Sequence, residues 1–175
     1  GAAYDLGTED STQSGEKIAP GKSDVIQDLT WAAVLKDYGK GANKTIAMPP
    51  SYDATKYYCS TADAPCNAKP YSLGTQKVLE YGRVKTTDGS IKYMLNWPAF
   101  GNDYYINVVE KKPIEREAHY NASKNFTRGF IYFLQTELKQ PNIGLATDEV
   151  NEGMAFMAYN REGRRLRGKV RLNID

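Results

Sequence analysis

Nowhere in the chain do eighteen apolar residues follow one another, so no stretch can cross a membrane as a helix. No signal peptide is visible either. Gly1-Ala2-Ala3-Tyr4 opens without an initiator Met, which suggests a processed or engineered start. Histidine occurs once, at His119, and cysteine twice, at Cys59 and Cys66. A protein-only zinc centre usually needs four convergent ligands, so one His and two Cys argue against metal chemistry of that kind. The cysteine spacing is not that of a metal knuckle, and the segment around it reads as loop. A local disulfide in an oxidising compartment and two free thiols both remain open. There is no P-loop and no G-x-G-x-x-G dinucleotide fingerprint. No Ser-His-Asp or Cys-His arrangement can be inferred. Internal repeats and low-complexity tracts are absent. Net charge is only +2, too little to make the whole surface a nucleic-acid magnet.

What is present suits a globular domain. The 175 residues are 41% hydrophobic and 25% charged, enough for one real core. Residues 1–22 are rich in Gly, Ser, Thr, Asp and Glu without periodicity, and read as an irregular or mobile segment. Residues 23–175 then form a single domain. Val25, Gln27, Leu29, Trp31, Ala33 and Leu35 alternate with polar neighbours, which favours one long strand over 24–38. A helix ending at Gly39 is the alternative. Residues 40–74, with Pro49, Pro50, Pro65 and Pro70, read as a long loop with a short helical turn near Ala54–Tyr58.

Two β-rich runs, 78–84 and 91–96, flank Thr86-Thr87-Asp88-Gly89-Ser90. Asp-Gly between such runs signals a hairpin. Gly101-Asn102-Asp103 reads as a turn, and Tyr104–Val109 as another short strand. The clearest element is a helix over about 113–139. Pro113 suits its first position, Glu115 and Glu117 suit the positive end of its dipole, and Pro141 stops it. Phe126, Phe130, Ile131, Phe133, Leu134 and Leu138 give its second half a wide apolar stripe. The expected fold is therefore α+β: a mostly antiparallel sheet with a hairpin at about 78–96, packed on one long helix at about 113–139.

The chemistry-bearing candidates lie near the end. Between Arg161 and Arg167 stand four arginines and Glu162, with Gly163 among them. Residues 161–171 hold six Lys/Arg and one Glu. A planar guanidinium matches carboxylates, phosphates and flat rings. Glycine could let a backbone come close to a ligand, or break strand alternation with a bulge. Lys169–Ile174 alternates as a strand, with Val170, Leu172 and Ile174 on one face. On composition alone, the arginines are a solvated strand face that snorkels over apolar neighbours. Nucleic-acid binding lacks an accompanying fold signature. His119 follows Glu115 by one turn, and a solvated Glu–His pair is simpler than a catalytic histidine. The sequons at Asn43, Asn121 and Asn125 are discounted, two of them lying within the helix. Thirteen tyrosines could furnish sugar-binding or partner-binding platforms, so a non-catalytic extracellular saccharide- or protein-binding module is the alternative function, but half-buried strand positions suffice for Tyr81, Tyr93, Tyr104 and Tyr105.

The order of motifs carries further information. Asp24-Val25-Ile26-Gln27-Asp28 is followed by Pro50-Ser51-Tyr52-Asp53. Next come Asn96-Trp97-Pro98 with Gly101-Asn102-Asp103-Tyr104-Tyr105, and a helix holding Arg128-Gly129-Phe130-Ile131-Tyr132-Phe133-Leu134-Gln135. Gly144-Leu145-Ala146-Thr147-Asp148-Glu149 and Tyr159 to Gly168 complete the series. It resembles the middle portion of a family of bacterial FAD-dependent oxidoreductases, often secreted and sometimes labelled xanthan lyase-like. Arg161-Glu162-Gly163-Arg164-Arg165 is the most specific piece, although many members have serine where this chain has Gly163.

The resemblance implies a split flavin domain, with FAD-binding segments upstream and downstream of the matching region. The chain would then be the substrate-side, capping part of a larger flavoprotein in an extracytoplasmic setting. FAD would belong to the parent protein and none to the isolated chain. The partners implied are the FAD-binding domain of the same parent and a small-molecule substrate, without nucleic acid or a membrane span. The resemblance puts Arg161, Glu162, Arg164 and Arg165 beside the chemistry. Trp97, Asn102 and Asp103 become candidate substrate contacts.

Overall fold

The computed structural model describes residues 1–17, 21–67, 73–97 and 100–170. Chain order begins with β1 (Tyr4–Asp5), α1 (Ser11–Ser14), β2 (Leu29–Thr30) and β3 (Ala33–Asp37). A 3-10 turn (Ala54–Tyr57), α2 (Thr75–Tyr81), β4 (Arg83–Lys85), β5 (Ile91–Leu95) and β6 (Asp103–Tyr104) follow. The long α3 (Pro113–Thr136) leads to β7 (Ile143–Leu145), a second 3-10 turn (Val150–Gly153), β8 (Tyr159–Asn160) and β9 (Arg165–Leu166). The fold is α+β with antiparallel sheets, as the sequence pattern implies. No helix among the described residues is long and apolar enough to cross a membrane.

A four-stranded sheet in the order β4-β5-β3-β7 forms one layer of the core. Its register sets Ala33 opposite Leu95 and Leu35 opposite Tyr93, while Leu35 also faces Leu145. Alternation sends Ala33, Leu35, Tyr93 and Leu95 inward. They join Phe130, Ile131, Phe133 and Leu134 of α3 in one cluster, and these four helix side chains are 0–1% exposed. The apolar stripe of α3 therefore lies where its 3.6-residue period puts it.

Local chemistry fixes the helix ends. The Lys112 amide donates to Glu115 Oε2 at 3.0 Å, and Pro113 opens the first turn. At the other end Lys139 adopts φ 55°, and the Gln140 amide returns to the Leu134 carbonyl at 3.1 Å. The helix runs to Thr136 with Glu137 still right-handed, and the chain then turns away through left-handed Lys139, ahead of Pro141. Within it, Gly129 leaves room for Tyr57: a Cβ there would overlap the tyrosine hydroxyl. That hydroxyl donates to the Phe126 carbonyl at 2.9 Å. Buried Gln135 ties the helix to the long loop, donating to Lys44 O and Ile143 O at 2.7 Å each and accepting from the Ile46 amide at 3.0 Å.

Several expectations need correction. Residues 24–38 are not one strand. At Trp31–Ala32 the chain passes from the sheet β6-β2-β8 to the sheet β4-β5-β3-β7. The Trp31 carbonyl accepts from Thr127 Oγ1 of α3 at 2.7 Å instead of from a neighbouring strand. The first arm of the hairpin starts at Arg83, because Thr75–Tyr81 is helical. Thr75, Val78 and Leu79 are its buried positions, a helical spacing hidden inside a β-rich composition. The Thr75 amide starts this helix by donating to Asp63 Oδ2 at 2.6 Å. Tyr104–Val109 contributes only its first residue to a strand.

Tyr93 is buried at 5%, whereas Tyr81 is 73% exposed at the end of α2. Lys169 and Val170 form a bend and not the start of a strand, and the remaining residues of that expected strand lie outside the described ones. Cys59 and Cys66 form a disulfide. The opening segment is tied down at two places: β1 pairs with β9, and Thr8 bridges to Ser23.

Candidate functional site

The arginine run leaves β8 and passes through β9, two-residue strands lying in different sheets. In the order β6-β2-β8, strand β8 is an edge, and Arg161 follows it directly. Its guanidinium reaches across β2 towards the opposite edge. It donates to Asp28 O at 2.8 Å, to Asn96 Oδ1 at 3.0 Å and to Asp103 Oδ1 at 3.1 Å. Asp103 also accepts from the Thr30 hydroxyl. The Tyr159 ring lies 5.0 Å from the guanidinium carbon. Arg161 is thus a strut that closes three strands, its charge matched by an Asp103 carboxylate only 7% exposed. Burial first, and then the nearby Asp103 charge, push the Asp28 carboxyl up, against the pull of Arg161.

Arg164 turns elsewhere. Its Nε donates to Glu110 Oε1 at 3.2 Å, its Nη2 to Val109 O at 3.2 Å, and its plane covers the Tyr4 ring at 5.0 Å. Hydrogen bonding from Arg164, and then from Tyr4, holds the Glu110 carboxyl below its ordinary range. Arg165 Nη1 donates to Glu162 Oε1 at 2.6 Å, while its Nη2 meets the Gly7 carbonyl and Glu9. The other Glu162 oxygen accepts the Gln27 amide at 3.0 Å. Arg167 pairs with Asp5 at 2.7 Å.

Arg161, Glu162, Gly163 and Arg165 therefore share an open depression of about 610 Å³, walled by Val25, Ile26 and Gln27. Arg164 is not part of it and sits with Glu110. Gly163 meets no atom within 4 Å on the side where a Cβ would stand. Internal packing does not demand glycine there.

Trp97 and Asn102 lie inside the core, 4% and 0% exposed. The Trp97 indole donates to Ser60 O at 3.1 Å. Asn102 Oδ1 accepts the Trp97 amide at 2.7 Å, and its Nδ2 donates to Leu95 O at 3.2 Å. Together they hold the chain between β5 and β6, which carries Asp103 to Arg161. His119 is half-buried on α3, and Glu115, its neighbour one turn earlier, caps the helix. Among the described residues no group of three or more His, Cys, Asp or Glu is placed to hold a metal ion.

Sequence reasoning picked out the arginines and a pairing of Glu162 with one of them, which is Arg165, but not their distant partners. Asp103, Glu110, Glu9 and Asp5 lie between 54 and 162 positions away in the chain. No local spacing signals such pairs.

An α+β unit of antiparallel sheets, with carboxylate-paired arginines in and beside short edge strands, is an architecture compatible with many activities. The family comparison narrows it. The family model described as FAD dependent oxidoreductase matches residues 1–175, and the chain belongs to that family. No curated protein and no solved structure matches it.

FAD is the family's cofactor, and its fit to these residues can be examined directly. The described strands pair only antiparallel, so they form no βαβ unit of the kind that cradles a pyrophosphate. The first turn of α3, where an anion would seek free amides, carries the Glu115 carboxylate. The described residues do not fit a dinucleotide cradle.

Proposed function

We propose that this chain is the substrate-side, capping part of an FAD-dependent oxidoreductase, completed by a flavin-binding domain of the same parent protein. One observation carries the reading. Along 156–170, large apolar side chains stand in water beside arginines whose charges are already matched. Phe156 is 71% exposed, Met157 76%, Leu166 72% and Val170 85%. Isolated exposed apolar residues are ordinary, but a concentration in one short segment marks a surface that a partner covers. Among the described residues β8 stands at the edge of its sheet and offers backbone groups to the same partner.

In flavoenzymes the flavin carries the hydride, and the protein supplies orientation and charge. On this reading Arg165 and Glu162 form the pair at the rim of the depression that faces substrate and cofactor. Arg161 and Asp103 position that rim from behind, with Trp97 and Asn102 fixing Asp103 in turn. Arg164 orients the β9 segment against Glu110. Gly163 leaves room for close approach from outside, which agrees with the absence of any internal neighbour. An extracytoplasmic setting accords with the Cys59–Cys66 disulfide.

The test uses the full-length parent. Arg165→Lys should lower the rate of flavin reduction while leaving the melting temperature unchanged, because lysine keeps the charge and loses the planar fork. The isolated chain, mixed with FAD, should pass through gel filtration colourless. A variant with full activity, or an isolated chain that retains flavin, would refute the assignment.

A further inference from the structure

A second concavity lies between the loop at 50–57, β6 and the middle of α3; none of the arginines lines it, although its Tyr105 also borders the depression beside Arg161 and Asp103. This second concavity encloses about 610 Å³, within the range of small-molecule sites. A relay of rings builds its floor. Tyr52 and Tyr57 lie nearly parallel at 17° and 6.1 Å, Tyr57 meets Phe126 at 5.0 Å, and Phe126 meets Tyr104 at 5.6 Å. Tyr105 stands at its rim, 54% exposed. The polar lining comprises Ser51, Asp53, Lys56 and Asn125.

Folding accounts for part of this arrangement and not for the rest. Tyr57 is a core residue whose hydroxyl serves α3. Asp53 Oδ1 caps the 3-10 turn, accepting from the Thr55 amide at 3.0 Å and the Thr55 hydroxyl at 2.6 Å. Those bonds, the hydroxyl first, hold the carboxyl below its ordinary range, so it is ionised at neutral pH. Packing inside the chain does not explain why an exposed tyrosine should stand beside an aromatic floor ringed by a carboxylate, an ammonium and an amide.

We infer that this groove binds a neutral saccharide. The exposed Tyr105 ring and the part-buried rings of Tyr52, Tyr104 and Phe126 match the C–H face of a pyranose, which is apolar and weakly positive against an electron-rich aromatic face. Asp53 accepts, Lys56 donates, and Asn125 does both, which matches hydroxyls that themselves donate and accept. The charges of Asp53 and Lys56 offset one another, so the rim selects neither anions nor cations. This inference goes beyond the capping role and does not rest on the arginine assignments.

Calorimetric titration of the chain tests it, with β-1,4-linked glucose, xylose and mannose tetrasaccharides as neutral probes and tetragalacturonate as the acidic one. At least one neutral sugar should bind, and more tightly than the acidic sugar. Tyr105→Ala should weaken that binding roughly tenfold or more, with the melting temperature unchanged. Tyr81→Ala, which removes another exposed tyrosine remote from the groove, should bind as the parent chain does. The inference is overturned if no neutral sugar binds, if the acidic sugar binds equally well, or if Tyr105→Ala binds normally.

Discussion

The body of the molecule and its arginine-bearing segment are held together by different forces. In the body, Phe130, Ile131 and Phe133 are fully buried against a sheet whose inner positions are Ala33, Leu35, Tyr93 and Leu95. In the segment after Ala155, Phe156 and Met157 are more than two-thirds exposed, and order comes from Arg161, Arg164, Arg165 and Arg167, each with its own carboxylate. Burial of apolar area is the larger stabilising effect, while exposed ion pairs contribute little. The body should therefore fold without help. Apart from the shielded Arg161–Asp103 pair, the segment gains little stability from its charges, and its exposed apolar side chains remain available to a partner.

Mutations on the two sides should separate these roles. The largest loss is expected for Phe130→Ala, about 3–5 kcal/mol in denaturant unfolding, since the ring is fully buried in the core. A loss below 1 kcal/mol would mean that α3 is not anchored by this face. Arg161→Met should come next, at about 2 kcal/mol, because it leaves a shielded Asp103 without its charged donor. Wild-type stability in that variant would remove the strut from the account.

Acid should bring a smaller effect. Hydrogen bonding from Lys92, and then from Lys36, holds the Asp148 carboxyl down to about 2, against an ordinary value of 3.8. A lowered value means that the folded state binds its proton less readily than the unfolded chain. The contribution is thus complete above 3.8 and fades as the pH falls towards 2. Lys92→Met should flatten that limb of a melting-temperature profile. An unchanged profile would show that the ion pairs of Lys92 do not matter to folding. The smallest effect is expected for Arg164→Gln, whose pair with Glu110 is nearly half exposed on both sides. Its melting temperature should match that of the parent chain, and a clear fall would blur the contrast between the two regions.

Legibility in the sequence followed the same division. The long helix was readable because Phe126 to Leu138 repeats at helical spacing between Pro113 and Pro141, and packing then obeyed the period. The Asp-Gly turn marked the hairpin, whose first arm proved shorter than its β-rich composition suggested. Residues 78–81 went to α2 because Asp63, twelve residues before Thr75, caps that helix from outside the run. The break at Trp31 was hidden for a related reason, since Thr127 captures its carbonyl from α3. The arginines stood out by type and spacing, but their separation into different pairings depends on Asp103, Glu110, Glu9 and Asp5, which only the tertiary fold brings near. The aromatic groove had the same origin: Tyr52, Tyr104 and Phe126 come from three separate stretches of chain.

The central claim is that residues 156–170 form a surface made to be covered. Amide hydrogen exchange, compared between the isolated chain and the full-length parent, tests it most directly. The account predicts much stronger protection of the 156–170 peptides in the parent than in the isolated chain, where only the amides paired through β8 and β9 are held, while peptides from α3 and β5 exchange slowly in both. Equal and fast exchange of 156–170 in the two proteins would contradict it.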